Sequence, residues 1–438
     1  MTGVFVTGAA GFVGLNIVRR LAERGVDVVA LVRRAPDAAT LRFLDSVRSR
    51  VHFVEGDVRD RERLIELVRA SGTRRIVHGA AVTSSELERS DPAGFVDINL
   101  GGTLNVLEAA RLTAAERMVL ISSSAVYGAP RDPAHLIRED EALQISGIYT
   151  ICKQAGEALC RRYSELYGLS AVAGRLGTAY GPMERPSGSR AAMSQVYVLV
   201  HAALQQRELR IFGADRLRDV CYIADVAEAF SGLVLADTLQ YNIYNVSAGT
   251  AHSLRQIAAA LQALVPGVRW TPAETPAAAD LVVLAPSERG ALDLGHLHAD
   301  LGFVPQWPLE AGLAEYVQWL HVHQGTLRGG ALQYMRSEAG GSISLFVTDP
   351  LSTSTANAPS ISGSPMDASR NGPSPVAGPL PASRKSSMQR GSGFCLALST
   401  PMCIAGHPTI PSARILPVAP LPPPLRALRL FWKCRSRR

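Results

Sequence analysis

Lysine is almost missing from this chain of 438 residues, which has three lysines among 45 basic side chains. Cysteine is scarce as well: the six cysteines include no CxxC pair and have no histidine at metal-binding spacing, which argues against zinc sites and disulfide frameworks. No apolar run reaches the length of a membrane span, and the strand pattern that begins at Val4 leaves no room for a secretory signal. We therefore expect a soluble cytoplasmic protein with reduced thiols, no bound metal and no membrane partner.

Acidic residues almost disappear after residue 338: this segment has 11 basic side chains, and its acidic residues are Asp349 and Asp367. Without this segment, residues 1–338 hold 34 basic and 36 acidic side chains, so the formal charge of +7 belongs to the C-terminal part and argues against a nucleic-acid partner. The segment also holds 15 of the 27 prolines and has no sustained hydrophobic period. We expect residues 326–438 to be a linker and a disordered Ser/Pro-rich basic tail, with a short basic interaction tail at 426–438 as the alternative.

Short apolar, β-branched runs alternate with longer helical stretches between Val4 and about Arg175. The runs are VFVT, VVALV, VHFVE, RIVH, MVLIS and AVAGRL. Such alternation predicts an α/β fold with a doubly wound parallel sheet of the Rossmann type, covered by helices on both faces. We expect a dinucleotide-binding domain at 1–176 and a smaller C-terminal substrate-binding region at 177–325, where the alternation is less regular.

A glycine-rich turn joins the first predicted strand to the first predicted helix. In this turn, Gly8 permits a tight bend, Gly11 lets backbone N–H groups approach a pyrophosphate, and Gly14 allows the helix to pack closely on the sheet. Phe12 and Val13 begin the helix, whose N-terminus supplies positive potential. The position of the triplet between strand and helix predicts a cofactor phosphate site.

The sequence TGAAGFVG resembles the TGxxGxxG signature of the extended short-chain dehydrogenases/reductases, the NAD-dependent epimerase/dehydratase family. Later motifs continue this resemblance to about residue 320. It implies that Asp57, followed by Val58, meets the adenine amino group, and that Ala80 and Ala81 let the backbone lie against the cofactor. It also implies that Asn99 braces the sheet beside the active site.

The end of the second predicted strand lacks the acidic residue that would accept the ribose hydroxyls of NAD. Arg33 and Arg34 stand there instead, where a 2′-phosphate would lie. The sequence therefore predicts an NAD(P) cofactor with NADP favoured over NAD. The alternative is that both arginines only solvate a loop.

Tyr149 and Lys153 are four residues apart on a predicted helix, so that their side chains share one face. A neighbouring cation stabilises a phenolate, and we expect Lys153 to lower the pKa of Tyr149 and to hold the nicotinamide ribose. Lys153 is the only lysine in residues 1–338, and its compact charge suits this position better than a guanidinium does. The pattern predicts a catalytic group in which a serine hydroxyl fixes the substrate oxygen and Tyr149 transfers a proton.

Three consecutive serines follow the fifth predicted strand. Counting back from VYG to match the family pattern selects Ser123 as the substrate-binding hydroxyl, while Ser122 and Ser124 remain possible. The sugar 4,6-dehydratase branch of the family has an Asp-Glu pair at the positions of Ser124 and Ala125. Because this acid/base pair is missing, we expect epimerisation or simple oxidation and reduction rather than dehydration.

Two later motifs resemble the substrate side of the family. RLGTAYGP carries Thr178 where the family has Asn, which places one substrate hydrogen bond in doubt. The resemblance implies that Arg218 clamps the pyrophosphate of a nucleotide sugar and that Arg289 is a second clamp. The alternative for Arg218 is an ion pair with Asp225.

These patterns lead to three hypotheses about function. The first is an NAD(P)-dependent epimerase that moves a hydride at a hydroxyl-bearing carbon of a nucleotide-activated sugar. The second is a simple NADP-dependent dehydrogenase or reductase of a small hydroxy or keto compound. The third is a non-catalytic NADP-sensing protein, against which the intact catalytic group counts. The resemblance also implies a homodimer built through helices near Asn105 and Tyr163.

Overall fold

The computed structural model describes residues 3–129, 132, 134–190, 192–284, 288–327, 332–333 and 346–347. All of them belong to one compact unit that ends at Asn357. The expectation of a linker and a disordered tail falls almost wholly outside the described residues. Within that range the structure shows the end of the last helix and a pair of two-residue strands, β14 (Leu332–Gln333) and β15 (Phe346–Val347).

The strands and helices of the body follow one another in the alternation that the sequence predicts. The strands are β1 (Val4–Thr7), β2 (Val28–Val32), β3 (Val51–Glu55), β4 (Arg75–His78), β5 (Arg117–Ser123), β6 (Ser170–Leu176), β7 (Thr178–Tyr180), β8 (Leu209–Phe212), β9 (Leu217–Tyr222), β10 (Ile243–Val246), β11 (Ala251–Ser253), β12 (Trp270–Pro272) and β13 (Leu281–Val282). The helices are α1 (Phe12–Glu23), α2 (Ala38–Phe43), α3 (Arg61–Ser71), α4 (Ser85–Ser90), α5 (Pro92–Val96), α6 (Gly102–Leu112), α7 (Ile148–Tyr167), α8 (Gln195–Leu204), α9 (Ile223–Leu235), α10 (Leu254–Leu264), α11 (Gly295–Leu301) and α12 (Leu309–Leu327).

The central sheet has seven parallel strands in the order β10-β6-β5-β4-β1-β2-β3. Its strands are buried on both faces, as β1 illustrates: Val4 and Val6 belong to one apolar cluster, whereas Phe5 between them belongs to the other. Helices α1 and α9 pack on the first face, and α3, α6 and α7 pack on the second. The prediction of a doubly wound parallel sheet is therefore confirmed.

The region at 177–325 is not separate from this sheet. It supplies the seventh strand, β10, and the covering helix α9, in which Glu228 forms ion pairs with Arg20 of α1 and with Arg24 directly after α1. Two small sheets, β11-β9-β7 and β12-β8-β13, complete the region. A boundary at residue 176 would therefore separate β10 from the other six strands of the central sheet. Within the described residues, no helix combines the length and the apolar character needed to cross a lipid bilayer.

Candidate active site

A cavity of about 990 Å³ lies at the carboxyl ends of the central strands. It opens where the strand order reverses between β1 and β4, which is where doubly wound sheets bind their ligands. The cavity brings together most of the residues that the sequence singled out. These are Gly8, Gly11, Phe12, Val13, Gly14, Arg33, Arg34, Asp57, Val58, Ala80, Ala81, Ser123, Tyr149, Lys153, Thr178 and Arg218.

The glycine-rich turn has the geometry that its sequence predicts. Gly8 has a φ of +69°, and a Cβ atom there would collide with the backbone of Gly79 and Ala80. A Cβ atom at Gly14 would collide with the carbonyl group of Gly8, because α1 begins directly against the turn. The backbone N–H of Gly11 donates to Gly8 O at 2.9 Å and closes the bend. Because these glycines have no side chains, the turn leaves an open space at the N-terminus of α1. Such a space fits a dinucleotide pyrophosphate.

The far end of the cavity carries the two arginines that follow β2. Arg33 and Arg34 are exposed, and neither forms an ion pair with any residue that the structure describes. Asp57 lies nearby, where the guanidinium of Arg59 binds both of its carboxylate oxygens, at 3.1 and 2.9 Å. These hydrogen bonds hold the pKa of Asp57 below its usual value, with a contribution from the charge of Arg33.

Ser123, Tyr149 and Lys153 meet in the middle of the cavity. Lys153 is 4% exposed, and its Nζ donates to Ile121 O at 2.8 Å and lies 5.7 Å from the centroid of the Tyr149 ring. Ser123, at the end of β5, lies beside Tyr149 and accepts the backbone N–H of Ala125 at 3.2 Å. Strand β5 and helix α7 thus bring a hydroxyl, a phenol and an ammonium together.

The pKa of Tyr149 reflects its burial more than its neighbours. Burial raises the pKa of Tyr149 above its usual value, and the groups that lower it are Ser123 and, through its charge, Arg190. Burial also lowers the pKa of Lys153 itself, to about 8. Burial thus dominates the pKa of Tyr149, and Lys153 is not among the groups that lower it, so that the predicted effect of Lys153 stays a prediction.

Two predicted contact residues lie behind the cavity wall. Asn99 is buried in a π-helical turn, where its side chain binds the backbone N–H and carbonyl of Val82, each at 3.0 Å. It therefore supports the cavity through Val82 and does not line it. Ser124, which is 7% exposed and begins a 3-10 helix, is also not among the residues that line the cavity. Ser122 does line it, but its hydroxyl donates to Glu157 at 2.5 Å.

Arg218 and Arg289 are neighbours on the substrate side, and of the two only Arg218 is among the described residues that line the cavity. The Nε atom of each is buried and has no hydrogen-bond partner among the described residues. Burial, followed by the charge of Arg289, lowers the pKa of Arg218 to about 10. The alternative of an ion pair between Arg218 and Asp225 is wrong, because Asp225 accepts the backbone N–H groups of Gln306 and Trp307 instead.

Sequence reasoning missed a group of residues in the segment after β7. Arg185 and Arg190 line the cavity, and Arg185 forms an ion pair with Asp37, which also lines it. The sequence feature that could have indicated these residues is a Gly/Pro/Ser-rich segment directly after β7 that contains both arginines. Throughout the described part of the chain, no group of three or more His, Cys, Asp or Glu side chains is placed to hold a metal ion.

A dinucleotide cradle beside a serine, a tyrosine and a lysine defines a class of nicotinamide-dependent enzymes on the Rossmann fold. The chain belongs to the NAD-dependent epimerase/dehydratase family: the family model Epimerase, described as "NAD dependent epimerase/dehydratase family", matches residues 4–247. The resemblance noted in the sequence is thereby confirmed, and the protein is an enzyme of this family.

Two curated relatives and one solved structure illustrate the match. The chain is 30% identical over 318 residues to a UDP-glucose 4-epimerase of Mycolicibacterium smegmatis, covering 72% of this chain and 97% of that one. It is 31% identical over 337 residues to a dTDP-4-dehydro-6-deoxy-D-allose reductase of a Streptomyces species, covering 73% and 97%. The crystal structure of UDP-glucose 4-epimerase from Thermus thermophilus in complex with NAD is 27% identical, with a TM-score of 0.62 and coverage of 73% and 98%.

Proposed function

We propose that this enzyme is an epimerase of a nucleotide-activated sugar that favours NADP as its cofactor. Tyr149 and Ser123 act on a hydroxyl-bearing carbon of the sugar, and Arg218 and Arg289 bind the pyrophosphate. The relatives named for UDP- and dTDP-linked sugars support this substrate class. The enzyme acts in the cytoplasm.

The pair of half-buried arginines, Arg218 and Arg289, carries the proposal. Two guanidinium groups close to each other, each with a buried and unpartnered Nε, are costly to keep inside a protein unless an anion compensates them. Among the described residues, neither Arg218 nor Arg289 has an acidic partner within ion-pair distance. A pyrophosphate has the charge and the oxygen geometry that such planar groups bind. Two arginines that bind a pyrophosphate are expected beside the sugar of a nucleotide sugar, whereas the cofactor pyrophosphate is expected at the glycine-rich turn.

The central residues divide the chemistry between them. The Ser123 hydroxyl orients the reacting hydroxyl of the sugar, and the phenolic oxygen of Tyr149 takes or returns its proton. Lys153 holds positive charge behind the Tyr149 ring. When bound, the dinucleotide supplies the hydride-accepting nicotinamide, and the glycine-rich turn, Arg33 and Arg34 would hold it.

The cavity offers no free carboxylate for dehydration among the described residues. Among the described residues, the carboxylates that line it are Asp37 and Asp57, and each is paired with an arginine at the cofactor end. Elimination of water from a sugar needs a free acid/base group near the reacting carbons. Ser123 and Tyr149 offer one proton-transfer site, which is sufficient for oxidation and reduction at a single carbon.

The proposal is tested by incubating the purified full-length enzyme with NADP or NAD and a panel of UDP- and dTDP-sugars. NMR reports the configuration of the sugar, and the absorbance of the reduced nicotinamide reports net cofactor reduction. Epimerisation is expected to change the configuration at one carbon with no net cofactor reduction. Stoichiometric cofactor oxidation or reduction would instead establish a dehydrogenase or reductase. Tight NADP binding without turnover of any sugar would establish a sensing protein.

The cofactor preference has its own test, the variant Arg33→Asp. A carboxylate at this position accepts ribose hydroxyls and repels a 2′-phosphate, so the Kd for NADP is expected to rise by about tenfold or more while the Kd for NAD falls. Arg42→Asp, on the exposed part of α2, serves as the matched control for the change of charge. A wild-type enzyme that already binds NAD more tightly than NADP would show that Arg33 and Arg34 do not select the cofactor.

The assembly that we propose is a homodimer through α6 and α7. Five large apolar side chains on these helices are 40–51% exposed: Leu104, Leu112, Ile151, Leu166 and Tyr167. Burying them against a second copy would stabilise the pair. Light scattering at micromolar concentration is expected to give twice the mass of the chain, and Leu166→Glu together with Tyr167→Glu is expected to halve it. A monomeric wild type would contradict this assembly.

A further inference from the structure

Residues 182–190, which we call the strap, connect β7 to the segment before α8. All strap residues except Pro182 and Glu184 line the cavity. The strap reaches the carboxyl ends of three neighbouring strands of the central sheet: β2 through Asp37, β1 through Phe12, and β4 through Thr83. It therefore crosses the crevice in which the glycine-rich turn lies.

The base of the strap is fixed by a buried carboxylate. The Glu184 side chain has no exposed surface, and it accepts the backbone N–H of Ser194 at 2.7 Å and the hydroxyl of Ser194 at 2.8 Å. Arg190 Nη2 also donates to Glu184, at 2.6 Å. The first and last parts of the strap are thus joined to each other, and its ends cannot separate without exposing a buried charge.

The tip of the strap is attached by contacts near the surface. Arg185 Nη1 lies 2.8 Å from Asp37 Oδ2, and Arg185 Nη2 donates to Asp37 Oδ1 at 3.3 Å and to Thr40 Oγ1 at 3.0 Å. On the other side, the backbone N–H of Thr83 donates to Ser189 O at 2.9 Å. The side chains of Arg185 and Asp37 are 30% and 56% exposed, so water can compete for the ion pair.

The strap therefore combines a rigid base with a tip that can detach. An enzyme that returns its hydride to the same sugar needs the dinucleotide to stay bound through the whole turnover. A segment across the crevice, whose tip is held by one exposed ion pair and a few hydrogen bonds, provides a barrier to release that opens without unfolding the base.

We propose that Arg185 and Asp37 form a latch that holds the strap across the cofactor crevice and slows the release of the dinucleotide. Both are positioning residues and take no part in proton transfer. This inference rests on the proposed function, because it assumes that a nicotinamide dinucleotide occupies the crevice.

The test compares Arg185→Gln and Asp37→Asn with the wild type. Asparagine keeps the side-chain oxygen that caps α2 by accepting the backbone N–H of Thr40, so the second variant removes the charge and spares the cap. The release of NADPH and of NADH is followed by fluorescence after mixing with excess oxidised dinucleotide, without any sugar. Each variant is expected to release the dinucleotide about threefold to tenfold faster, and the double variant no faster than either one.

Amide exchange gives a second readout that does not depend on the cofactor. Opening of the tip would expose the Thr83 N–H, so its exchange is expected to quicken in both variants while that of Ser194 at the base stays slow. Arg63→Gln, which breaks an exposed pair with Glu66 on α3, is the matched control and is expected to change neither rate. Release and Thr83 exchange at wild-type rates would overturn the latch. Failure of the wild type to bind either dinucleotide would overturn the proposed function instead.

Discussion

Replacing Tyr149 by phenylalanine is expected to lower kcat/KM for the nucleotide sugar by about a hundredfold to ten-thousandfold, the range that one positioned proton-transfer group contributes. The substitution removes the phenolic oxygen and leaves the ring in place. Because Ser123 and Arg190, which lower the pKa of the Tyr149 hydroxyl, belong to the cavity wall, Tm is expected to change little. Steady-state kinetics by NMR and calorimetry on the same sample provide the two measurements.

Tyr127→Phe is the matched control for this variant. The Tyr127 hydroxyl donates to Asn245 Oδ1 at 2.6 Å and accepts from Arg175 Nη1 at 2.9 Å, in a buried network that does not line the cavity. Its loss is expected to cost about 1–2 kcal/mol of the free energy of unfolding and to leave kcat/KM nearly unchanged. The two tyrosines should thus separate catalysis from stability. Full turnover by Tyr149→Phe would remove Tyr149 from the proposed chemistry.

Replacing Lys153 is expected to have the second largest effect. In Lys153→Arg the wider guanidinium must enter a site that is 4% exposed, and displacement of Tyr149 should cost at least about tenfold in kcat/KM, which is about 1.4 kcal/mol of transition-state stabilisation. Overpacking of this site is also expected to lower Tm. A loss of activity by Lys153→Arg alone could therefore reflect a damaged core.

Lys153→Met resolves this ambiguity. Methionine fills a similar volume without a charge, and burial already disfavours the ammonium, whose pKa is lowered to about 8. We therefore expect Lys153→Met to keep or raise the wild-type Tm while losing at least as much kcat/KM as the arginine variant. Wild-type turnover in both variants would leave Lys153 without a catalytic role.

The parts of the site that could be predicted are those set by local sequence. The glycine-rich turn needs a positive φ at Gly8 and a close approach at Gly14, and both requirements are visible in the residues themselves. Tyr149 and Lys153 lie on one helix, so their spacing alone places them on one face. The alternation of strands and helices likewise predicts a parallel sheet, since the connecting helices cover both of its faces and bury apolar runs such as VFVT.

The parts that could not be predicted depend on contacts between distant segments. Nothing near Arg185 in the sequence indicates a partner at Asp37, and nothing near Asn99 indicates that its amide binds Val82. The pKa of Tyr149 depends on how deeply the fold buries the phenol, which the charge of a neighbouring lysine does not reveal. The pairing of β10 with β6 could not be predicted either, because several substrate-side elements separate the two strands along the sequence.

That pairing has a consequence for synthesis of the chain. Until Val246 has left the ribosome, β6 is an edge strand whose N–H and C=O groups lack the neighbour that β10 provides. Helix α9, which covers one face of the same sheet, also arrives only with residues 223–235. The first six strands of the central sheet therefore lack their last neighbour until more than half of the polypeptide has been made, and an open sheet edge of this kind favours chaperone binding.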